Sequence, residues 1–222
     1  MIGNAIPPIL TYYLFQSMLN VSAEKLTLIG DVKDYFHESP KEPIPITPPD
    51  TIKFKYRDNR SFRLAVPGFR FGSGVRFELS NTCTKTTCNW RMKFFYGSSK
   101  KIKEVQFPES RYNKILEILA EQEIEPSQEL NNLAVYVSAL SSKSLQKKWT
   151  HKSKDEIHPY KVLYALSMYG LKVKAKIDSV KLTDAKFIST IGDNLNQKLF
   201  DNKSRILSGV LIGHVFNKNL RK

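Results

Sequence analysis

Cysteine is scarce here: the 222 residues hold only Cys83 and Cys88. Two thiols in a chain of this length argue against a disulfide scaffold and suit a reducing cytoplasm. Their C-x4-C spacing has no second ligand pair nearby. His37, His151, His158 and His214 are scattered, so no zinc spacing forms. Long apolar runs are missing as well. The strongest, residues 9–19, spans about 11 residues and is interrupted by Thr11, Gln16 and Ser17, too short to cross a bilayer. The first positive charge is Lys25, so the basic opening of a signal peptide is absent. No membrane contact and a cytoplasmic location are therefore expected. Basic residues are absent from 116–142, which carries only acidic charge.

What is present supports a packed, basic protein. An apolar fraction of 41% and an aromatic fraction of 11% suffice for a core, in one large or two small domains. The net charge is +14 and is unevenly placed. Residues 1–50 carry net −3, residues 51–115 net +11, residues 116–142 net −5 and residues 143–222 net +11. Two basic blocks thus flank an acidic strip. A field of this sign draws polyanions, most simply DNA, or else keeps copies of the chain apart in solution.

The fold class expected is α+β, in four segments. Residues 1–37 form an N-terminal helix with a tail. Gly3 permits a tight turn, Asn4 is a helix-capping type, and Pro7 and Pro8 fit a first helical turn. The run ILTYYLFQSML then reads as a helix apolar on several faces. Residues 38–50, ESPKEPIPITPPD, carry five prolines and read as an extended linker.

Residues 51–107 read as a basic antiparallel β-meander. In IKFKYRD, Ile52, Phe54 and Tyr56 alternate with Lys53, Lys55 and Arg57; Asp58-Asn59 supplies a turn. SFRLAV follows and breaks at Pro67-Gly68. FRF and VRFELS flank a hairpin turn at Gly72-Ser73-Gly74, and WRMKFFY leads through Gly97-Ser98-Ser99 to KIKEVQF. Such a sheet is apolar on one face and Arg/Lys-rich on the other, which suits phosphate contact or a solvated surface. The candidate DNA-binding cations are Lys53, Lys55, Arg57, Arg60, Arg63, Arg70, Arg76, Arg91 and Lys93.

Residues 108–222 read as helical. Helices are expected at 109–122, 126–140, 155–170 with Gly170 as stop, 183–200 and 204–217. Residues 172–181 read as a short strand or an exposed basic stretch. SSKSLQKKWTHKSK, at 141–154, reads as a solvated loop or as a phosphate-binding run in which Lys147 and Lys148 meet the backbone and Trp149 stacks on a base.

Ile2-Gly3-Asn4-Ala5-Ile6-Pro7-Pro8 resembles the last signature, motif X, of the DNA cytosine-5 methyltransferases. Met1 stands where that family usually has Gln. The resemblance covers about 20 residues. It implies that Gly3, Asn4, Ala5 and Ile6 border a pocket for S-adenosylmethionine and that the helix after them packs on a parallel sheet. The family's nucleophilic Cys follows a Pro, and neither Cys83 nor Cys88 does. The Glu-Asn-Val and Gln-x-Arg-x-Arg signatures are missing too. The resemblance therefore implies a C-terminal subunit or truncated remnant of such an enzyme, inactive alone and without a catalytic residue of its own. Its expected partners are DNA and a larger methyltransferase subunit carrying the catalytic Cys. The alternative is a stand-alone basic nucleic-acid-binding protein, or an inactive remnant of a restriction-modification system.

Overall fold

The structure, a computed structural model, describes residue 18 and residues 55–71, 74–98, 101–191 and 200–222. Gly3, Asn4, Ala5 and Ile6, the proline-rich segment 38–50 and Lys53 lie outside the described residues. Of the expected first helix only Met18 is described; it is helical and exposed. The chain divides into two compact units, Met1–Lys41 and Glu42–Lys222.

The larger unit is α+β. Four strands form a meander in the order β1-β2-β3-β4, every neighbour antiparallel. They are β1 Arg63–Arg70, β2 Arg76–Cys83, β3 Cys88–Ser98 and β4 Lys101–Val105. Alternation sorts the side chains into two faces. Phe77 lies opposite Phe94 and Leu79 opposite Met92 on the inner face. The Phe77 and Phe94 rings stack with centroids 4.2 Å apart. The expected hairpin turn joins β1 to β2: the Phe71 amide donates to the Val75 carbonyl at 2.9 Å, and Gly74 has φ +82°.

Six helices are described after the sheet: α1 Glu109–Ala120, α2 Ser127–Ser138, α3 Ser142–Trp149, α4 Pro159–Ile177, α5 Asp184–Ile191 and α6 Lys203–Asn219. Helix α6 is the centre of the unit. Residues 206–216 are all buried, because α6 packs on β3, α1, α2 and α4 at once. A helix surrounded on every side needs no polar face, which is why its sequence shows little amphipathic contrast. Small residues set the helix–sheet distance. A Cβ placed on Gly209 would lie 2.5 Å from the Phe77 ring, and one on Gly170 2.5 Å from the Phe69 ring.

Three expectations are corrected. Residues 55–57 of the expected first strand are irregular, although the turn at Asp58-Asn59 does form. Gly170 does not end its helix. It sits inside α4, which runs on to Ile177, because Leu166, Gly170, Val173 and Ile177 continue one buried stripe against the sheet and α6. So residues 172–177 are helix, neither strand nor exposed coil. Segment 141–154, expected as a loop, is mostly α3, with the Ser141 hydroxyl capping it by accepting from the Ser144 amide at 3.0 Å. Among the described residues, no helix is long and apolar enough to cross a membrane.

Candidate nucleic-acid interface

The helices cover one face of the sheet, and the cations gather on the other. Directly opposed residues in an antiparallel pair share a face. Arg63 lies opposite Ser80, which lies opposite Arg91; Glu78 lies opposite Lys93; Arg76 lies opposite Phe95. Simple alternation from Arg63 would send Arg70 to the other face. A bulge between Ala65 and Arg70 shifts the count, and Arg70 comes to lie opposite Arg76. Gly68 takes φ +76° within the bulge, a conformation that favours glycine. Arg63, Arg70, Arg76, Arg91 and Lys93 therefore occupy one surface, as the meander reading requires.

Two carboxylates temper it. Glu78 is buried at 2% exposure and accepts from Arg63 Nε at 2.7 Å and from Arg76 Nε at 2.9 Å. The same two guanidinium groups flank the Phe95 ring at 5.3 and 5.1 Å. Glu104 pairs with Lys93 at 3.3 Å. Arg70 and Arg91 are exposed and have no carboxylate partner among the described residues. Arg70 faces Arg76 across the strand pair, and Glu78 already compensates the charge of Arg76.

The other candidates fall elsewhere. Lys55 and Arg57 are exposed on the irregular strap before β1. Arg60 is held between two rings, 3.6 Å from the Tyr56 centroid and 3.7 Å from that of Trp149, and it donates to the Trp149 carbonyl at 2.7 Å. Trp149 itself is buried at 8% exposure. Its Nε1 donates to the Ser61 carbonyl at 3.0 Å, and its ring meets Phe62 edge-on. It is an aromatic core residue, and both of its roles as an exposed stacking platform and as a loop residue are corrected by that burial. Lys148 is tied to the Lys154 carbonyl at 2.5 Å, whereas Lys147 projects from α3 without such a tie.

A polar hub fixes the strap that carries Arg57 and Arg60. Gln146, buried, donates to the Asp58 carbonyl at 2.7 Å and the Arg60 carbonyl at 3.0 Å. Asn81 donates to the Gln146 Oε1 at 2.7 Å and accepts from the Phe62 amide at 2.6 Å. Sequence reading missed both; an amide inside an otherwise helical or strand pattern is the only signal either one leaves. Cys83 and Cys88 are register partners at the β2–β3 tip and are disulfide-bonded. The bridge closes one turn and is no scaffold.

No protein-family model, curated protein or solved structure matches this chain.

Proposed function

We propose that the larger unit binds DNA through the exposed face of its sheet, and that the chain is the C-terminal subunit or fragment of a DNA cytosine-5 methyltransferase, inactive alone. The observation that carries the DNA-binding half is the convergence of Arg63, Arg70, Arg76, Arg91 and Lys93 on one surface, with Arg70 and Arg91 unneutralised. Guanidinium groups spaced by a β-sheet are suited to phosphate oxygens, which position a duplex without reading its sequence.

The methyltransferase half rests on the resemblance of residues 2–8. Gly3, Asn4, Ala5 and Ile6 lie outside the described residues, so their contact with S-adenosylmethionine is part of this proposal. In this reading a larger partner supplies the catalytic Cys and the cytosine-contacting Glu, and the complex works in the cytoplasm. In a reducing compartment the Cys83–Cys88 bridge would open, while the pairing of β2 with β3 is secured by seven further register pairs.

Two measurements test this. The logarithm of duplex affinity should fall with the logarithm of salt at a slope of about −0.9 per phosphate contacted, and R70Q/R91Q should flatten the slope by about 1.8. A flat response in the parent protein would end the DNA-binding reading. Separately, transfer of labelled methyl from S-adenosylmethionine to DNA should be absent with this chain alone. It should appear on mixing with a chain that carries the Pro-Cys and Glu-Asn-Val signatures. If such a mixture stays inactive, the stand-alone nucleic-acid-binding reading replaces the subunit one.

A further inference from the structure

A second basic feature lies at the tip of the β2–β3 hairpin, where the turn, α3 and the loop at Asp58 border a cavity of about 590 Å³. Lys85 comes from the hairpin turn, Lys143 and Lys147 from successive turns of α3, and Lys222 from the residue that follows Arg221. All four are exposed, and their ammonium groups have no ion-pair or hydrogen-bond partner among the described residues. The lining contains one acidic side chain, Asp58, and Lys152 already pairs with it. Thr86 also lines the cavity.

The site is also braced. Gln146, on the same helix as Lys143 and Lys147, is hydrogen-bonded to the backbone at Asp58 and Arg60. The Ser142 amide donates to the Arg221 carbonyl at 2.8 Å, which fixes the C-terminal residues beside the start of α3. On the hairpin side, the Thr84 amide donates to the Thr87 carbonyl at 2.8 Å, and the paired strands β2 and β3 hold the turn from behind. Three separate parts of the chain thus bring lysines to one cavity without a matching set of acidic side chains. Such crowding of like charge is unfavourable when empty and favourable around a multiply charged anion.

We propose that this cavity binds a compact ligand bearing a terminal phosphate, held by Lys85, Lys143, Lys147 and Lys222. Its volume lies in the range of small-molecule sites, roughly 300–1,000 Å³, and is far too small to admit a duplex. Lysines act on phosphate as movable point charges, and four of them outnumbering the acidic side chains call for more than one negative charge on the ligand. Two sources share that chemistry: the phosphates of a free nucleotide, or the 5′-phosphate at the end of a DNA strand. The inference stands on the cavity alone and does not require the sheet face to bind DNA.

Titration calorimetry at about 50 mM salt, where phosphate contacts are strong, tests it. The probes are inorganic pyrophosphate, adenosine triphosphate, and a short single-stranded oligonucleotide with either a 5′-phosphate or a 5′-hydroxyl. Saturable binding of pyrophosphate or the triphosphate identifies the free-nucleotide source. A preference for the phosphorylated oligonucleotide identifies the strand end. In either case K143Q/K147Q should weaken binding at least about tenfold, the scale of lost charge-assisted hydrogen bonds. R70Q/R91Q, on the sheet face, should leave the binding of pyrophosphate and triphosphate, and any preference for the 5′-phosphate over the 5′-hydroxyl, unchanged. The proposal is overturned if no probe binds, if K143Q/K147Q binds like the parent, or if R70Q/R91Q loses as much affinity for pyrophosphate and triphosphate, since that would mark diffuse attraction to a basic protein.

Discussion

The side-chain amide of Asn217 takes the place of a strand beside Met92. The Met92 amide donates to Asn217 Oδ1 at 2.8 Å, and Asn217 Nδ2 donates to the Met92 carbonyl at 3.0 Å. Strand β4 ends at Val105, opposite Phe94, so its ladder stops short of Met92. Met92 is 2% exposed, and unpaired backbone groups there would be costly. One residue of the central helix thereby extends the sheet and locks α6 to β3. Replacing it, N217A, should cost about 2 kcal/mol in urea unfolding, the penalty for stranding buried polar groups. N217D should cost at least as much, because a carboxylate oxygen would then face the Met92 carbonyl. A parent-like midpoint for N217A would mean that water completes the ladder equally well.

Adding one methyl at Gly209 should destabilise the fold. The new Cβ would stand 2.5 Å from Phe77 ring atoms, and Phe77 is fully buried and stacked on Phe94, with little room to retreat. Overpacking costs about 1–3 kcal/mol and the gain in helix propensity offsets about 1 of it. G209A should therefore lose up to about 2 kcal/mol. Pairing it with F77L should cost less than the two changes added together, since the smaller side chain vacates the contact. Additive losses would show that the two sites do not clash.

Glu78 sets stability and charge against each other. It accepts from both Arg63 and Arg76 on the proposed DNA face while being itself 2% exposed. E78Q should lower stability by about 2 kcal/mol, less than the loss of a fully buried pair because Arg63 is 59% exposed. The same change removes a negative charge from that face, so duplex affinity should rise although the protein is weaker. Fluorescence anisotropy with labelled duplex, paired with thermal melts, reads both. A fall in affinity would place the DNA contact away from this surface.

Asp178 gives the fold an acid-sensitive joint between α4 and α6. Partial burial raises its carboxyl pKa, but hydrogen bonds from Lys174 and Ser204 outweigh this and hold it below the ordinary value of 3.8. A depressed carboxyl contributes stability that is fully present above the unfolded value and is lost as pH falls through the lower folded one. The carboxyl is about half exposed, so the contribution is of the order of 0.5 kcal/mol. D178N should melt slightly earlier than the parent at pH 7, and the difference should shrink below about pH 4. A gap that stays constant to low pH would mean that the Ser204 hydrogen bond, with no contribution from charge, carries the joint.

Much of the fold is legible along the chain because its signals are local. The alternation in WRMKFFY and VRFELS marks β3 and β2, and the glycines between FRF and VRF mark the turn from β1 into β2. The stripe Ile115, Ile118 and Leu119 marks α1. Helix α4 was harder, since Gly170 carries the mark of a helix end. Its lack of a side chain answers to Phe69 and to Ile212, far away in sequence. Trp149 misleads for a similar reason. Its neighbours Lys147 and Lys148 suggest a solvated run, yet the helical turn directs Trp149 to Phe62 and Tyr160 and leaves Lys147 in solvent.

By itself the sequence determined where the charge lies along the chain, the period of each strand and most helices, and the tight turns, since each depends on residues a few positions apart. Which cations share a surface was decided only by the tertiary structure. Parity places Arg63 and Arg70 on opposite faces, and one bulge at Pro67-Gly68 reunites them opposite β2. A strand's sidedness reverses with a shift of a single residue, and that shift is selected by how Val66 and Phe69 bury against distant helices.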